Sequence, residues 1–243
     1  MILKILAIES SNQTMSVATM EDGIVVAEYT RNGNLQHSTH LMPAIEHVML
    51  NSGWKNHDLE KIVVSKGPGS YTGIRIGATI AKTLAWTLNI PLVSISSLQL
   101  LAANVTFFDG YIVPIIDARR KNVYAAVYQM LEGTLTEVIP EAHIASEAFF
   151  EQIAKESGPF LFVGQDIPLY QDDINDLFGD RAQFASPKDW LPRAGSLAAL
   201  GEESPAVDVH LFTPEYLKKS EAEENWQQAH GSEGEGDYVE RID

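Results

Sequence analysis

Strand-like apolar runs alternate with helix-periodic segments along this chain, and the alternation predicts an α/β protein whose sheets contain parallel strands. The pattern breaks once, at Phe107-Phe108-Asp109-Gly110, which divides the chain into two lobes. With 243 residues, 45% hydrophobic and 21% charged, the composition is that of a globular protein. A chain of this length buries roughly 70–75% of its unfolded surface and needs no staples.

Leu3 to Ile8 is almost continuously apolar, as a strand buried on both faces should be. A polar corner follows at Glu9-Ser10-Ser11-Asn12-Gln13. Met15 to Met20 and Ile24 to Tyr29 flank Glu21-Asp22-Gly23, and an Asp-Gly pair between two β-rich runs signals a hairpin. His37 to Leu50 has helical spacing, with Leu41, Met42, Ile45, Val48 and Met49 assigned to one face. Ile62 to Ser65 reads as a short strand, and a glycine-rich turn leads from it into a helix over about Thr72 to Leu88. Asn89-Ile90-Pro91 stops that helix, and Leu92 to Ile95 is the next strand.

In the second lobe, Tyr111 to Ile116 and Val123 to Met130 are strands around the charged corner Asp117-Ala118-Arg119-Arg120-Lys121-Asn122. Ser146 to Glu156 reads as a helix capped by Ser146, and Phe160 to Val163 as a strand. A helix with proline at its start is expected from Pro192 to about Glu202. The expected domains are therefore 1–106, 107–228 with a part that packs back on the first lobe, and an acidic tail over 229–243. From Glu221 to Asp243 the acidic residues face Arg241 alone, and Gly231-Ser232-Glu233-Gly234-Glu235-Gly236 contains nothing that forms a core. The tail reads as solvated; the alternative is that Tyr238-Val239-Glu240-Arg241-Ile242 docks as a short amphipathic end. No internal repeat is visible.

Charge and cysteine usage exclude several functions. Seventeen Lys plus Arg against 33 Asp plus Glu leave a net charge of −16, which repels a phosphate backbone. The absence of cysteine removes disulfides, thiolate nucleophiles and Cys-based zinc sites, and fits a reducing compartment. No run approaches the ~20 apolar residues of a membrane helix, and no cleavage site follows the first strand, so a cytoplasmic, membrane-free protein is expected.

The most distinctive segment is Lys66-Gly67-Pro68-Gly69-Ser70-Tyr71-Thr72-Gly73-Ile74-Arg75-Ile76-Gly77. Closely spaced glycines between a strand and a helix are the make-up of a phosphate-cradling turn, but no Gly-Lys-Ser/Thr follows and the dinucleotide fingerprint is missing. A structural turn is the better reading, with Ser70 or Thr72 as helix cap. On the helix that follows, Gly73, Gly77, Ala81 and Ala85 lie together, and Ile76, Ile80, Leu84 and Leu88 widen the apolar arc to about twice that of an ordinary surface helix. Such a helix packs on two neighbours: the sheet, and either the preceding helix or another protein chain. Arg75, Lys82 and Trp86 fill the rest of its surface.

His37, His40 and His47 lack the i, i+4 spacing of a helical metal pair, and no metal is expected. No Gly-x-Ser-x-Gly elbow is present, and Asp117 beside Arg119 and Arg120 reads as a solvated or salt-bridged hairpin rather than an active-site corner.

Five blocks in order along the chain resemble the TsaB (YeaZ) family. They are Leu6-Ala7-Ile8-Glu9-Ser10-Ser11, His37-Ser38-Thr39-His40-Leu41-Met42-Pro43, the Lys66 to Gly77 segment, Asp117-Ala118-Arg119 with Val123-Tyr124, and Pro214-Glu215-Tyr216-Leu217 with Glu221-Ala222-Glu223. The resemblance implies the fold of the acetate-and-sugar-kinase, Hsp70 and actin superfamily (ASKHA): two related lobes with mixed sheets flanked by helices. It also implies a part in placing a threonylcarbamoyl group on the adenosine beside the anticodon of tRNA. In that family a paralogous partner, TsaD, carries the His-x-x-x-His metal pair and the chemistry. TsaB binds TsaD through two helices of the first lobe and helps to recruit the ATPase TsaE.

On this basis the chain is expected to be a non-catalytic adaptor that meets tRNA only through its partner. The expected partner-binding residues are Leu41, Ile45, Val48 and Met49 on the first helix and Gly73, Ile76, Gly77, Ile80, Ala81 and Leu84 on the second. Two helices from each chain would make a four-helix contact, and without the partner the same patch would form an isologous homodimer. Ser10, Ser11, Gly67 and Gly69 are the candidates for a degenerate phosphate loop. Glu9 stands where nucleotide-binding relatives place Asp followed by Gly, so the chain alone is expected to bind ATP weakly or not at all, with no cofactor of its own. ATP or ADP at the interface of the complex is left open. The competing functions are a nucleotide-dependent small-molecule kinase or ATPase of the same superfold, and a metal-dependent hydrolase.

Overall fold

A computed structural model describes residues 3–33 and 36–218. The acidic tail over 229–243, with Tyr238 to Ile242, and the block Glu221-Ala222-Glu223 lie outside the described residues.

The first lobe contains β1 (Lys4–Glu9), β2 (Met15–Glu21), β3 (Ile24–Arg31), α1 (His37–Asn51), β4 (Lys61–Ser65), α2 (Tyr71–Leu88), β5 (Leu92–Ile95) and α3 (Ser97–Ala103). The second contains β6 (Tyr111–Asp117), β7 (Asn122–Leu131), β8 (Thr134–Ala145), α4 (Ser146–Ile153), β9 (Phe160–Val163), α5 (Gln171–Phe178), β10 (Ala182–Phe184) and α6 (Ala194–Glu202). Each lobe thus runs βββαβαβα. The sheets repeat as well, with strand orders β3-β2-β1-β4-β5 and β8-β7-β6-β9-β10. In each, a three-stranded antiparallel meander is extended by two parallel strands. Two mixed sheets flanked by helices are the architecture.

The central strands explain the layering. In β1, Leu6 and Ile8 point into a core with α1 and α2, while Ile5 and Ala7 point into one with α6. In β6, Val113 and Ile115 face α4 and α5, while Ile112 and Ile116 face α3. Burial on both faces is why these strands are continuously apolar. The inner layer is reciprocal: α3 follows the first sheet but packs on β6, β7 and β8, and α6 follows the second sheet but packs on β1, β2, β4 and β5. The Asn104 side chain ties the two helices, donating to the carbonyls of Asp189 at 3.1 Å and Leu191 at 2.7 Å and accepting from Ser196 Oγ at 3.1 Å.

Both tight hairpins turn through left-handed residues, Asp22-Gly23 at φ 47° and 77° and Glu132-Gly133 at φ 51° and 80°. This twist matches that of the flanking strands. The second hairpin brings in β8, which the sequence reading did not include, and α3, α5 and β10 were likewise absent from it. Two helix starts shift. Helix α4 takes Ala145 as its N-cap, with Ser146 buried as its first residue and no side-chain cap bond. Helix α6 begins at Ala194, after Pro192, because Arg193 pairs with Glu28 and the Gly195 amide donates to Glu28 Oε1 at 3.0 Å.

Exchange of the inner helices makes the lobes one cooperative unit. Leu197→Ala in α6 is expected to cost about 3 kcal/mol. It should shift a single urea transition that is the same by tryptophan fluorescence and far-ultraviolet circular dichroism. Two separate transitions would show lobes that fold apart.

Candidate functional site

Helix α2 starts where Ser70 leaves the β4 loop; its Oγ accepts from the Gly73 amide. The corner after β1 is pressed against this helix end. Ser11 O accepts from the Ser70 amide at 2.6 Å, and Ser10 Oγ donates to Gly73 O at 2.9 Å. A Cβ on Gly73 would collide with the Ser10 carbonyl, and one on Gly69 with the Ser11 carbonyl. Gly77 faces the Ser10 hydroxyl in the same way. Gly69 and Gly73 therefore serve the approach of one backbone to another, Gly77 makes room for the Ser10 side chain, and Ser10 and Ser11 are buried beneath them.

Glu9, the last residue of β1, lies fully buried under this corner. Its Oε1 accepts from the Ser11 amide at 2.7 Å and from Ser11 Oγ at 2.6 Å. Burial pushes its carboxyl above the ordinary carboxylate range, opposed by the Ser11 and Ser65 hydroxyls and the positive side of His37.

Between the lobes opens a cleft of about 900 Å³. Its first-lobe wall includes Asn12, His37 and the Gly69 to Gly73 turn; its second-lobe wall includes Asp117, Arg119, Tyr124 and Asp166. Asp117 does not simply pair with its neighbouring arginines: its Oδ1 accepts from Tyr170 Oη at 2.6 Å and from the Arg119 amide at 3.1 Å. Asp166 Oδ2 accepts from the Asp117 amide at 2.9 Å, and burial, with the Asp117 charge added, raises its carboxyl above the ordinary range. Arg119, Arg120 and Lys121 all turn left-handed at φ 66°, 53° and 58°, and together make the β6–β7 turn at the cleft.

On the outer face of the first lobe, α1 and α2 lie side by side over the sheet. Leu41, Ile45, Val48 and Met49 are all buried in the core against β2 and β3, together with Ala81. Gly73 and Gly77 face the Ser10 corner rather than a neighbouring chain. Of the expected partner-binding residues, these seven are thus already packed against the sheet or the Ser10 corner within the chain itself. Ile76, Ile80 and Leu84 stand at the edge of that core, half-buried. Met42, which the periodicity put with Leu41, is 47% exposed, and Leu50 is 71% exposed. Spacing alone put Met42 on one face with its buried neighbours and did not single out Leu50; a single step of 100° along the helix separates Met42 from Leu41.

The other flank of α2 is held by a strap from the C-terminal part of the chain. Val207 bridges Leu92, Lys82 Nζ donates to the carbonyls of His210 at 2.8 Å and Phe212 at 3.0 Å, and Phe212 enters the core. Glu215 then donates its amide to Lys66 O at 2.9 Å and pairs with Lys66 Nζ at 2.5 Å. A Cβ on Gly67 would lie 2.7 Å from Glu215 O, so the strap covers the loop there. Of the four phosphate-loop candidates, only Gly69 reaches the cleft.

A family model described as TsaD, tRNA N6-adenosine threonylcarbamoyltransferase, matches residues 4–226. The chain is 43% identical to the tRNA threonylcarbamoyladenosine biosynthesis protein TsaB of Bacillus subtilis, over 92% of this chain and 98% of that one. The chain belongs to the TsaB (YeaZ) family. The Escherichia coli TsaB is 29% identical over 95% of this chain and its own full length. YeaZ from Pseudomonas aeruginosa has the same fold, with a TM-score of 0.73 and 23% identity over 88% of this chain and all of that one. Membership places the chain in the biosynthesis of threonylcarbamoyladenosine in tRNA.

His47 Nε2 bonds Asn51 Nδ2 at 3.0 Å and its ring meets Tyr29 edge-on, while His37 lies at the cleft near Glu9. Among the described residues no group of three or more His, Asp or Glu side chains is arranged to hold a metal ion. Also among them, no helix is long and apolar enough to cross a membrane.

Two outcomes test the Ser10 corner. Gly73→Ala would add about 1 kcal/mol of helix propensity on an open surface, yet here it is expected to lower stability by about 2 kcal/mol, since backbone must move to admit the methyl. Glu9 has a raised folded carboxyl, so whatever it contributes is intact below pH 4.5 and is lost as pH rises through the higher folded value. Glu9→Gln should therefore gain urea resistance relative to the parent between pH 5 and pH 8; a constant difference would place the burial penalty elsewhere.

Proposed function

We propose that this TsaB-family chain is a non-catalytic subunit that docks a TsaD-type enzyme on the outer face of α1 and α2 and supports its transfer of a threonylcarbamoyl group to tRNA. The observation that carries this reading is the pair of helices itself. Their inner sides are consumed by the sheet and the Ser10 corner, yet Met42 and Leu50 on α1 remain exposed, and Ile76, Ile80 and Leu84 on α2 remain half-exposed. On this reading these apolar side chains make up the contact surface. Partner docking on this face is thus a matter of its outer residues, and the buried set of the first helix acts through the shape of the lobe.

The Ser10 corner supports the rest of the proposal. The ground in front of α2 that a phosphate would take is occupied by the Ser11 carbonyl, and the Ser70 amide is already bonded to it. On this reading the isolated chain binds no nucleotide of its own; ATP or ADP is taken up, if at all, where the complex closes. The net charge of −16 leaves tRNA to the partner, and a TsaE-type ATPase is reached through the complex. Without the partner, the same face is available to a second copy.

Met42→Glu and Ile80→Glu are each expected to weaken co-purification with the TsaD-type partner by at least about tenfold, with thermal unfolding unchanged for Met42→Glu. Equal recovery of the partner by both folded variants would overturn the assignment of this face.

A further inference from the structure

The repeat of βββαβαβα gives the second lobe its own outer helix pair: α4 and α5 occupy the places that α1 and α2 hold in the first. Here the two helices leave a groove of about 540 Å³ between them. Its floor is the buried pair Phe150 and Tyr170, and Leu169 and Leu177 stand beside it with 67% and 42% of their surfaces exposed. Around these apolar groups lie Glu147 and Glu151 of α4 and Asp173 and Asp176 of α5. Among the described residues none of these four carboxylates is paired with a cation. Among the described residues Lys121 is the one basic residue that lines the groove.

An apolar slot between two acidic helices has a complementary shape and charge. We propose that the α4–α5 groove binds a basic, amphipathic segment of a partner protein. Its apolar anchors enter between Leu169 and Leu177 onto Phe150, and its Lys or Arg side chains meet the carboxylates of both helices. The charge around the slot attracts such a segment from a distance, while the exposed leucines give the contact energy, as in other helix-in-groove recognition. A nucleic acid is repelled by the same rim. Because the groove is on the second lobe and the proposed TsaD-type docking face is on the first, the two can be occupied together.

The test is selection from a display library of peptides about fifteen residues long, with charged, polar and apolar residues randomised, against the full chain. Peptides bearing Leu or Phe at helical spacing with Lys or Arg between are expected to be enriched. Fluorescence anisotropy should show their binding weakened at least about tenfold by Leu169→Ser with Leu177→Ser, and by Asp173→Lys with Asp176→Lys. The equal charge reversal Asp109→Lys with Glu203→Lys, at exposed sites elsewhere, should change it by less than about twofold, as should Ile80→Glu on the other face. Loss of binding in the Asp109 and Glu203 variant would reduce the effect to general attraction by an acidic protein and overturn the proposal. So would enrichment of neutral or acidic peptides, or of none. Self-association that Leu169→Ser with Leu177→Ser abolishes, seen by sedimentation, would give the groove to a second copy instead.

Discussion

Each lobe is organised by a central strand that is buried on both faces. A strand such as β1 or β6 cannot be stable with one helical layer, because the alternate side chains would face water. The outer layer is local, supplied by the helices that connect the parallel strands. The inner layer is supplied by the other lobe, through the reciprocal positions of α3 and α6. With both faces filled, the ends of β1 and β6 are fixed relative to one another, and the cleft opens between them. The Ser10 corner, the start of α2 and the Asp117 turn all take their positions from those strand ends.

Helix α2 reconciles two demands by sorting residue size. Its small residues face inward, where Gly73 and Gly77 admit the Ser10 corner and Ala81 and Ala85 lie on the sheet. Its branched residues are left at the margin, and the C-terminal strap closes one side of the helix through Lys82. The result is a helix with a half-buried apolar edge at Ile76, Ile80 and Leu84. That geometry suits a TsaB-family protein whose proposed role is to present a surface rather than a set of reacting groups.

Legibility in the sequence followed burial. The doubly buried strands β1, β4, β5, β6 and β9 have short apolar runs, and all were found within a residue or so. Strand β8 was not, because it is a sheet edge with Pro140, alternating polar groups and partial exposure, which leaves no apolar run. Helix α5 carries Asp172, Asp173 and Asp176 and buries only Ile174 and Phe178, so its composition reads as loop. Helix α3 had a usable sign in Ser96 followed three residues later by Gln99, and Ser96 Oγ does accept from the Leu98 and Gln99 amides. At the site, the periodicity recognised the apolar arc of α1 and α2 but not which part of it the sheet would claim. Spacing reports a face; only packing tells how deep the face sits. The lobe repeat was implied by the family resemblance but not visible in the residues, since the two halves share strand order and helix placement rather than sequence.

The exchanged inner helix also bears on how the chain is made. Synthesis delivers β1 to β5 and both outer helices long before Leu197 and Ala198 emerge, yet Ile5, Ala7, Ala18, Met20 and Val63 share their core with those residues of α6. On the ribosome the first lobe therefore waits, half-covered, with a greasy sheet face turned to water or to a chaperone, and the lobe that is born first is finished last.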